Sequence, residues 1–136
     1  MSRRLTLQPH VFVLFSFLLM ANAPCHAQHM NEKDSPCARA VVTSDLVNCL
    51  SKARDSSDAK LNSLYQSIRK NLDASEADHL IEAQRLWIKY RDANCSAERA
   101  LYGGGTASAP AYLGCLEAMT RARTKELKVT YAVRLK

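Results

Sequence analysis

Cysteine is the residue type in this chain with the clearest capacity for chemistry. One of its five cysteines, Cys25, lies beside an apolar N-terminal run. The other four are Cys37, Cys49, Cys95 and Cys115. Four cysteines in a small exported domain are typical of two disulfides. Four thiolates could alternatively bind zinc, but no pair has the close CxxC spacing that such sites commonly use. We therefore expect two disulfides and no metal site.

Groups that could perform catalysis are sparse. Beyond residue 27 the only histidines are His29 and His79. The chain contains no HExxH, GxSxG or phosphate-loop motif, and its carboxylates are spread without an obvious close pair. We expect a protein that is not an enzyme and that uses no cofactor.

The first 27 residues have the pattern of a secretory signal peptide. Arg3 and Arg4 precede an apolar run at residues 11–21, and small residues occupy the positions that a signal peptidase recognises. The run is shorter than the roughly 20 residues of a membrane span, which disfavours an uncleaved anchor. Cleavage after residue 27 leaves one domain, residues 28–136, and lowers the formal charge from +6 to +4 by removing two arginines. We expect a periplasmic or secreted protein that is not inserted in a membrane after cleavage.

Helices must position the cysteines, because apolar residues recur at intervals of three and four and no useful stretch alternates as strands do. Three helices are predicted, at about residues 45–72, 76–101 and 110–130. Three consecutive glycines follow the second helix and leave the backbone free to turn. Since the connections are short, neighbouring helices should be antiparallel. The predicted fold is an all-α, antiparallel three-helix bundle with an extended N-terminal arm at residues 28–43, stapled by two disulfides.

The predicted helix starts carry capping signals. Thr43 or Ser44 can cap the first helix. Ser75, followed by Asp78, resembles a capping box for the second helix. Pro110 suits the first position of the third helix, where its missing N–H is not needed.

The predicted hairpins indicate which cysteines pair. Cys95 and Cys115 each lie about two turns from the glycine loop, and residues equally far from a turn lie side by side in an antiparallel hairpin. The arm that carries Cys37 can fold back onto Cys49, about one turn into the first helix. We favour these two pairs, although the other two pairings remain possible because all four thiols fall at the same end of the bundle. Closing the loop between residues 95 and 115 should contribute about 3 kcal/mol of stability.

One face of the second helix brings an aromatic ring, a guanidinium and a thiol together. Leu80, Gln84, Trp87, Arg91 and Cys95 follow one another at steps of three and four. Trp87 is expected to lie in the core, as large aromatic residues at helical spacing commonly do.

Arg91, once buried on that face, needs a carboxylate partner. Three carboxylates on the other two helices are predicted to lie at about the same height along the bundle as Arg91. These candidate partners are Asp55, Asp58 and Glu117. Arg85 and Asp92 lie away from that face and are expected to be solvated or part of a contact surface.

The motif Gln84-Arg85-x-Trp87-x-x-Tyr90-Arg91-Asp92-Ala93-x-Cys95 resembles the signature of the LprI-type lysozyme inhibitor family of exported bacterial proteins. The resemblance extends over about residues 37–128 and includes all four cysteines outside the N-terminal region. It implies a small helical, disulfide-bonded domain outside the cytoplasm. It also implies inhibition of a lysozyme or another muramidase, and it supplies no inhibitory residues to transfer.

The loop between the second and third helices is the best candidate for a partner-binding site. Its residues are small and uncharged, and two tyrosines, a type favoured at interfaces, flank it. Such a loop could enter the cleft of an enzyme, or it could be a plain connector. The candidate contact residues are Tyr102, Gly103, Gly104, Gly105, Thr106, Ser108 and Tyr112.

The basic residues of the third helix and the C terminus suggest an alternative function. They are Arg121, Arg123, Lys125, Lys128, Arg134 and Lys136. In this alternative the chain is a non-enzymatic envelope accessory or immunity protein that binds an acidic partner through these residues. They could also simply form a solvated face near the negative end of the helix dipole. Export argues against nucleic acid as the partner. The sequence leaves the target and the oligomeric state open.

Overall fold

The computed structural model describes residues 29–136, so the predicted signal peptide lies outside the described residues. The elements are α1 (Thr43–Lys70), α2 (Ala74–Ala100) and α3 (Ser108–Thr130), with short 3-10 turns at His29–Asn31 and Ala132–Arg134. No strand occurs between residues 29 and 136, which confirms the predicted all-α class. Within the same residues, no helix is both long enough and apolar enough to span a membrane.

The third helix holds the bundle together. It packs along α1 and along α2, whereas α1 and α2 make few direct contacts with each other. Leu50 of α1 clusters with Ala111, and Ile68 clusters with Leu127, so α1 and α3 run in parallel. α2 runs antiparallel to both helices. A shallow groove therefore remains between α1 and α2, and it is lined in part by Trp87.

The start of α2 is fixed by a capping box two residues earlier than predicted. The N–H of Glu76 donates to Oδ1 of Asp73 at 2.8 Å, and the N–H of Asp73 donates to Oε2 of Glu76 at 3.2 Å. The prediction of Ser75 with Asp78 was wrong. Asp73 and Glu76 have the same spacing, and they supply two carboxylates to the positive end of the helix dipole.

The other two helix starts also differ from prediction. The N-cap of α1 is Val42, without a side-chain hydrogen bond, so Thr43 and Ser44 lie inside the first turn. α3 begins at Ser108, and Pro110 is its third residue rather than its first. Proline is tolerated there because the first-turn N–H groups have no partner within the helix.

The N-terminal arm packs against α3 and α2. It is folded into successive tight turns, with hydrogen bonds such as Ser35 N–H to the Glu32 carbonyl at 2.9 Å. Met30 is buried, and its backbone lies so close to α3 that a Cβ on Gly114 would come within 2.8 Å of it. His29 Nδ1 lies 2.7 Å from Oε2 of Glu98 and so ties the arm to α2.

Candidate functional site

Two disulfides close one end of the bundle, which we call the stapled end. It comprises the arm, the first turns of α1 and the α2–α3 loop. The bonded pairs are Cys37–Cys49 and Cys95–Cys115, which confirms the favoured pairing. The sulfurs of the second pair belong to fully buried residues directly below the loop. The loop therefore projects from a covalently fixed base.

The α2–α3 loop is a succession of tight turns. The N–H of Gly105 donates to the Tyr102 carbonyl at 2.8 Å, and the N–H of Ser108 donates to the Gly105 carbonyl at 2.9 Å. Gly103 and Gly104 have φ angles of 53° and 81°, a conformation that L side chains rarely adopt. These glycines are thus required by the turn, and they leave the backbone uncovered at its outermost point.

The structure divides the candidate contact residues into exposed and anchoring groups. Gly103, Gly104, Gly105 and Thr106 are exposed. Ser108 is buried, and its hydroxyl accepts a hydrogen bond from Nε of Arg99 at 3.3 Å.

The two flanking tyrosines are half-buried. Tyr102 packs against the cluster around the Cys37–Cys49 bridge. Tyr112 packs against the Cys95–Cys115 bridge, and the Arg99 guanidinium lies 5.6 Å from its ring centre. Both rings therefore anchor the loop from beneath, and most of its outer surface comes from residues between them.

Three exposed apolar side chains at the stapled end did not feature among the candidates. Leu101 is 77 % exposed and adjoins the glycine turn, while Val41 and Val42, before α1, are 95 % and 52 % exposed. Leu101 was predicted only as the last residue of a helix, and the two valines lie in the predicted N-terminal arm, which is otherwise mostly polar. Two consecutive valines in such a segment were the sequence feature that could have indicated an exposed apolar contact. Below, "the tip" means Leu101 and residues 103–106.

Charge is distributed unevenly along the bundle. In the half of the bundle that contains the stapled end, residues 29–54 and 92–117 contain five basic and six acidic residues. In the other half, residues 55–91 and 118–136 contain twelve basic and seven acidic residues. The formal charges are therefore −1 and +5. Residues 100–116 contain no charged side chain at all.

The signature motif links all three helices. Nη1 of Arg91 lies 3.1 Å from Oδ1 of Asp58, one of the three predicted carboxylates, and 3.1 Å from Oγ1 of Thr120. Asp92, which was expected away from this face, accepts a further hydrogen bond from Nε of Arg91 at 3.0 Å. Glu117 instead pairs with Arg121 on its own helix. The motif thus supports the fold as a hydrogen-bonded ion-pair network.

Trp87 lies at the edge of the core rather than inside it. It is half-buried against the apolar cluster of Leu61 and Leu127. The guanidinium groups of Arg91 and Arg123 lie 5.2 and 5.8 Å from its ring, within the range of cation–π contacts.

The other signature residues differ in exposure. Gln84 is buried and accepts a hydrogen bond from Nε of Arg123 at 3.2 Å. Tyr90 and Arg85 are exposed, and among residues 29–136 Arg85 pairs only with Glu82, one turn away. The 64% exposure of the Arg85 side chain is compatible with both expectations for it, solvation and a contact surface.

One group of side chains has the residue types of a metal site. His29, Glu98 and Cys115 bring one ligand atom each within 4.8 Å of one another. The Cys115 sulfur belongs to a disulfide and has no thiolate to donate. The remaining His29–Glu98 pair is explained by its contact between the arm and α2, so these residues do not fit a metal centre.

Comparison with known proteins identifies the family. The family model described as "Lysozyme inhibitor LprI" matches residues 35–127, a range that includes all four disulfide cysteines. An uncharacterized protein of Rhizobium meliloti (strain 1021) is 32% identical over 126 residues, which cover 83% of this chain and 88% of that protein. No solved structure matches the chain. The family description names an inhibitor rather than an enzyme, and the two disulfides fit an oxidising compartment. The chain belongs to the LprI family of lysozyme inhibitors.

Proposed function

We propose that this protein is an exported inhibitor that binds a lysozyme, or another muramidase, and blocks its substrate cleft with the stapled end. Family membership supports the class of target. The disulfides and the signal-peptide pattern of residues 1–27 support a periplasmic or secreted location, where such an enzyme would be met.

The observation that carries this proposal is the shape and chemistry of the tip. Its turns are held by internal hydrogen bonds above a disulfide, so little conformational freedom would be lost on binding. Glycines allow a partner to approach the backbone closely. Among residues 29–136, the N–H groups of Gly104 and Thr106 have no backbone acceptor and remain available to polar groups of a cleft. Leu101 beside the turn, and Val41 and Val42 before α1, add exposed apolar surface at the stapled end.

The charge distribution supports the same orientation. Animal-type lysozymes are strongly basic, and a domain of charge +4 would be repelled by them at long range. The stapled half carries −1, however, and the tip carries no charge. If the stapled end approaches first, the half of charge +5 stays farthest from a basic enzyme. The repulsion between that half and the enzyme is then weakened by distance and by salt screening.

A turnover assay tests the proposal. Residues 28–136, purified with both disulfides intact, would be titrated into several muramidases that act on cell-wall fragments. We expect slower turnover of at least one enzyme, with the inhibition relieved by added substrate because inhibitor and substrate compete for the cleft. If no enzyme slows at micromolar excess of the protein, the proposal is wrong.

A matched pair of variants locates the inhibitory surface. Leu101→Asp places a charge on the tip and should weaken inhibition by about tenfold or more, as loss of a central apolar contact commonly does. Leu86→Asp makes the same change at an exposed leucine within α2, 55% exposed and far from the tip in sequence. It should leave inhibition unchanged. Equal losses in both variants would place the contact surface elsewhere.

A further inference from the structure

A cleft on the side of the bundle lies away from the tip and has a distinct chemistry. It is bounded by α1, α3 and the arm and has a volume of about 410 Å³. Its floor is formed by small residues of α1, including Ala53 and Ser57. Its rim carries the long basic side chains Lys60, Lys125 and Lys128.

Arg121 also lines this cleft, but its charge is already engaged. Its Nε lies 3.2 Å from Oε1 of the buried Glu117, and its Nη1 lies 2.9 Å from Oδ2 of Asp34 on the arm. Burial lowers the pKa of Arg121, but the charge of Glu117 and the hydrogen bonds that Arg121 donates to both carboxylates outweigh this effect and raise the pKa above its usual value. Ser57 donates a further hydrogen bond to Glu117 at 3.0 Å. Arg121 is thus shared by two carboxylates of the lining, so this cluster carries a formal charge of −1, and the whole lining with the three lysines carries +2.

The three lysines are different, because none of them forms an ion pair with any residue from 29 to 136. Lys125 and Lys128 follow Arg121 at steps of four and three and so share its face of α3, while Lys60 faces them from α1. Three positive charges without an ion-pair partner among the described residues thus line one opening. Like charges gathered in this way repel one another, and an anion between them would relieve the repulsion.

The basic surface that the sequence predicted for the third helix is therefore divided. Arg123 points the other way, where it contacts Trp87 and pairs with Glu126 at 2.8 Å. Lys60 of α1, which was not part of the predicted basic surface, lines the cleft instead. This arrangement depends on how α1 and α3 pack in parallel, which the spacing within one helix cannot show.

We propose that this cleft binds a small molecule that carries two or more negative charges on phosphate or carboxylate groups. Its volume lies within the range of about 300 to 1,000 Å³ typical of small-molecule sites. Lysine ammonium groups are compact point charges that bind phosphate or carboxylate oxygens without a fixed planar geometry. The site is separate from the tip, so a ligand could bind while the tip contacts a muramidase.

Calorimetric titration of residues 28–136 tests the proposal, with pyrophosphate as the phosphate probe and citrate as the carboxylate probe. We expect saturable binding of at least one probe at a ratio of one per chain, weakened as salt is added. Which of the two binds more tightly identifies the preferred group. Absence of saturable binding by both probes would overturn the proposal.

Two triple variants of equal net charge distinguish a site from general attraction. Lys60→Gln with Lys125→Gln and Lys128→Gln should weaken binding about tenfold or more, because three charges close to the anion are removed. Lys70→Gln with Lys89→Gln and Lys136→Gln removes three exposed charges that do not line the cleft, and should change affinity less than about twofold. Equal weakening in both variants would show that net charge alone attracts the anion and would overturn the site. All six side chains are exposed, so neither variant should lose its fold.

Discussion

Nη1 of Arg91 in α2 lies 3.1 Å from Oδ1 of Asp58 in α1. Thr120 of α3 completes the contact, because its hydroxyl donates to the same Asp58 oxygen at 3.2 Å and accepts from Arg91. α1 and α2 make few other direct contacts, so this ion pair bridges a groove that apolar packing leaves open. It also lies near the boundary between the near-neutral stapled half and the basic half.

Arg91→Ala should lower the free energy of unfolding by about 2 kcal/mol, since charge-assisted hydrogen bonds contribute roughly 1.5 to 3 kcal/mol each and Asp58 would lose its partner. The Arg91 side chain is 15% exposed and that of Asp58 is 32% exposed, so water compensates part of the loss. Arg85→Ala, on the same helix but 64% exposed, should cost less than about 0.5 kcal/mol. Urea denaturation measures both, and similar losses would contradict this account.

Gly114→Ala should destabilise the protein even though alanine is the better helix former by about 1 kcal/mol. The added Cβ would lie 2.8 Å from backbone atoms of Met30, and backbone atoms cannot move aside as a flexible side chain can. We expect a net loss of about 1 to 3 kcal/mol and faster hydrogen exchange in the arm. Ala97→Gly, at an exposed position of α2, measures the intrinsic propensity for comparison. A more stable Gly114→Ala protein would show that the arm does not pack here.

Removal of the Cys95–Cys115 bridge by paired alanine substitutions should lower stability by about 3 kcal/mol, since the bridge closes a loop with a sequence separation of 20. Removal of Cys37–Cys49 should cost a similar amount, because its shorter separation of 12 changes the entropy of the unfolded chain only slightly. The two variants should differ in which part of the protein becomes less protected from hydrogen exchange. Loss of Cys37–Cys49 should raise exchange strongly in the arm, whereas loss of Cys95–Cys115 should raise it there only modestly.

Asp34 should make the attachment of the arm sensitive to acid. Its hydrogen bond with Arg121, followed by the charge of Arg121, lowers the pKa of Asp34 below its ordinary value of 3.8. A carboxyl group whose pKa is lower in the folded state stabilises the fold above its unfolded pKa, and this contribution is lost as pH falls through the folded pKa. The wild type should therefore lose stability with acid below about pH 3.8 more steeply than Asp34→Asn.

The matched control for this pH effect is Asp78→Asn. Asp78 is an exposed residue of α2 that forms no ion pair among residues 29–136. Its variant should keep the slope of the wild type in an acid-denaturation series. A wild-type slope that Asp34→Asn leaves unchanged would show that the Arg121 contact does not anchor the arm.

Much of the fold follows from sequence periodicity. Leucines at helical spacing predict α1, and the glycine loop predicts where α2 gives way to α3. The equal distance of Cys95 and Cys115 from that loop favours their pairing but does not by itself exclude the other two pairings. Arg91 could be assigned three carboxylate partners from its height in the bundle. Choosing Asp58 required knowing that Arg54 pairs with Asp55 and that Arg121 and Ser57 already engage Glu117.

The remainder depends on how the elements pack. Spacing along α3 cannot show that Arg123 turns toward Trp87 while Lys125 joins Lys60 across a cleft. The close approach of Met30 to Gly114 depends on the path of the arm. These features join residues far apart in sequence, so no local pattern encodes them.

Hydrogen exchange of residues 28–136, alone and with an excess of a lysozyme, tests the central proposal most directly. If the stapled end fills the substrate cleft, amides at residues 101–107 and 40–44 should exchange more slowly in the complex. Exchange around Trp87 and around Lys125 should not change. Slower exchange confined to either of those regions, or no change at the tip at any lysozyme concentration, would contradict the proposal.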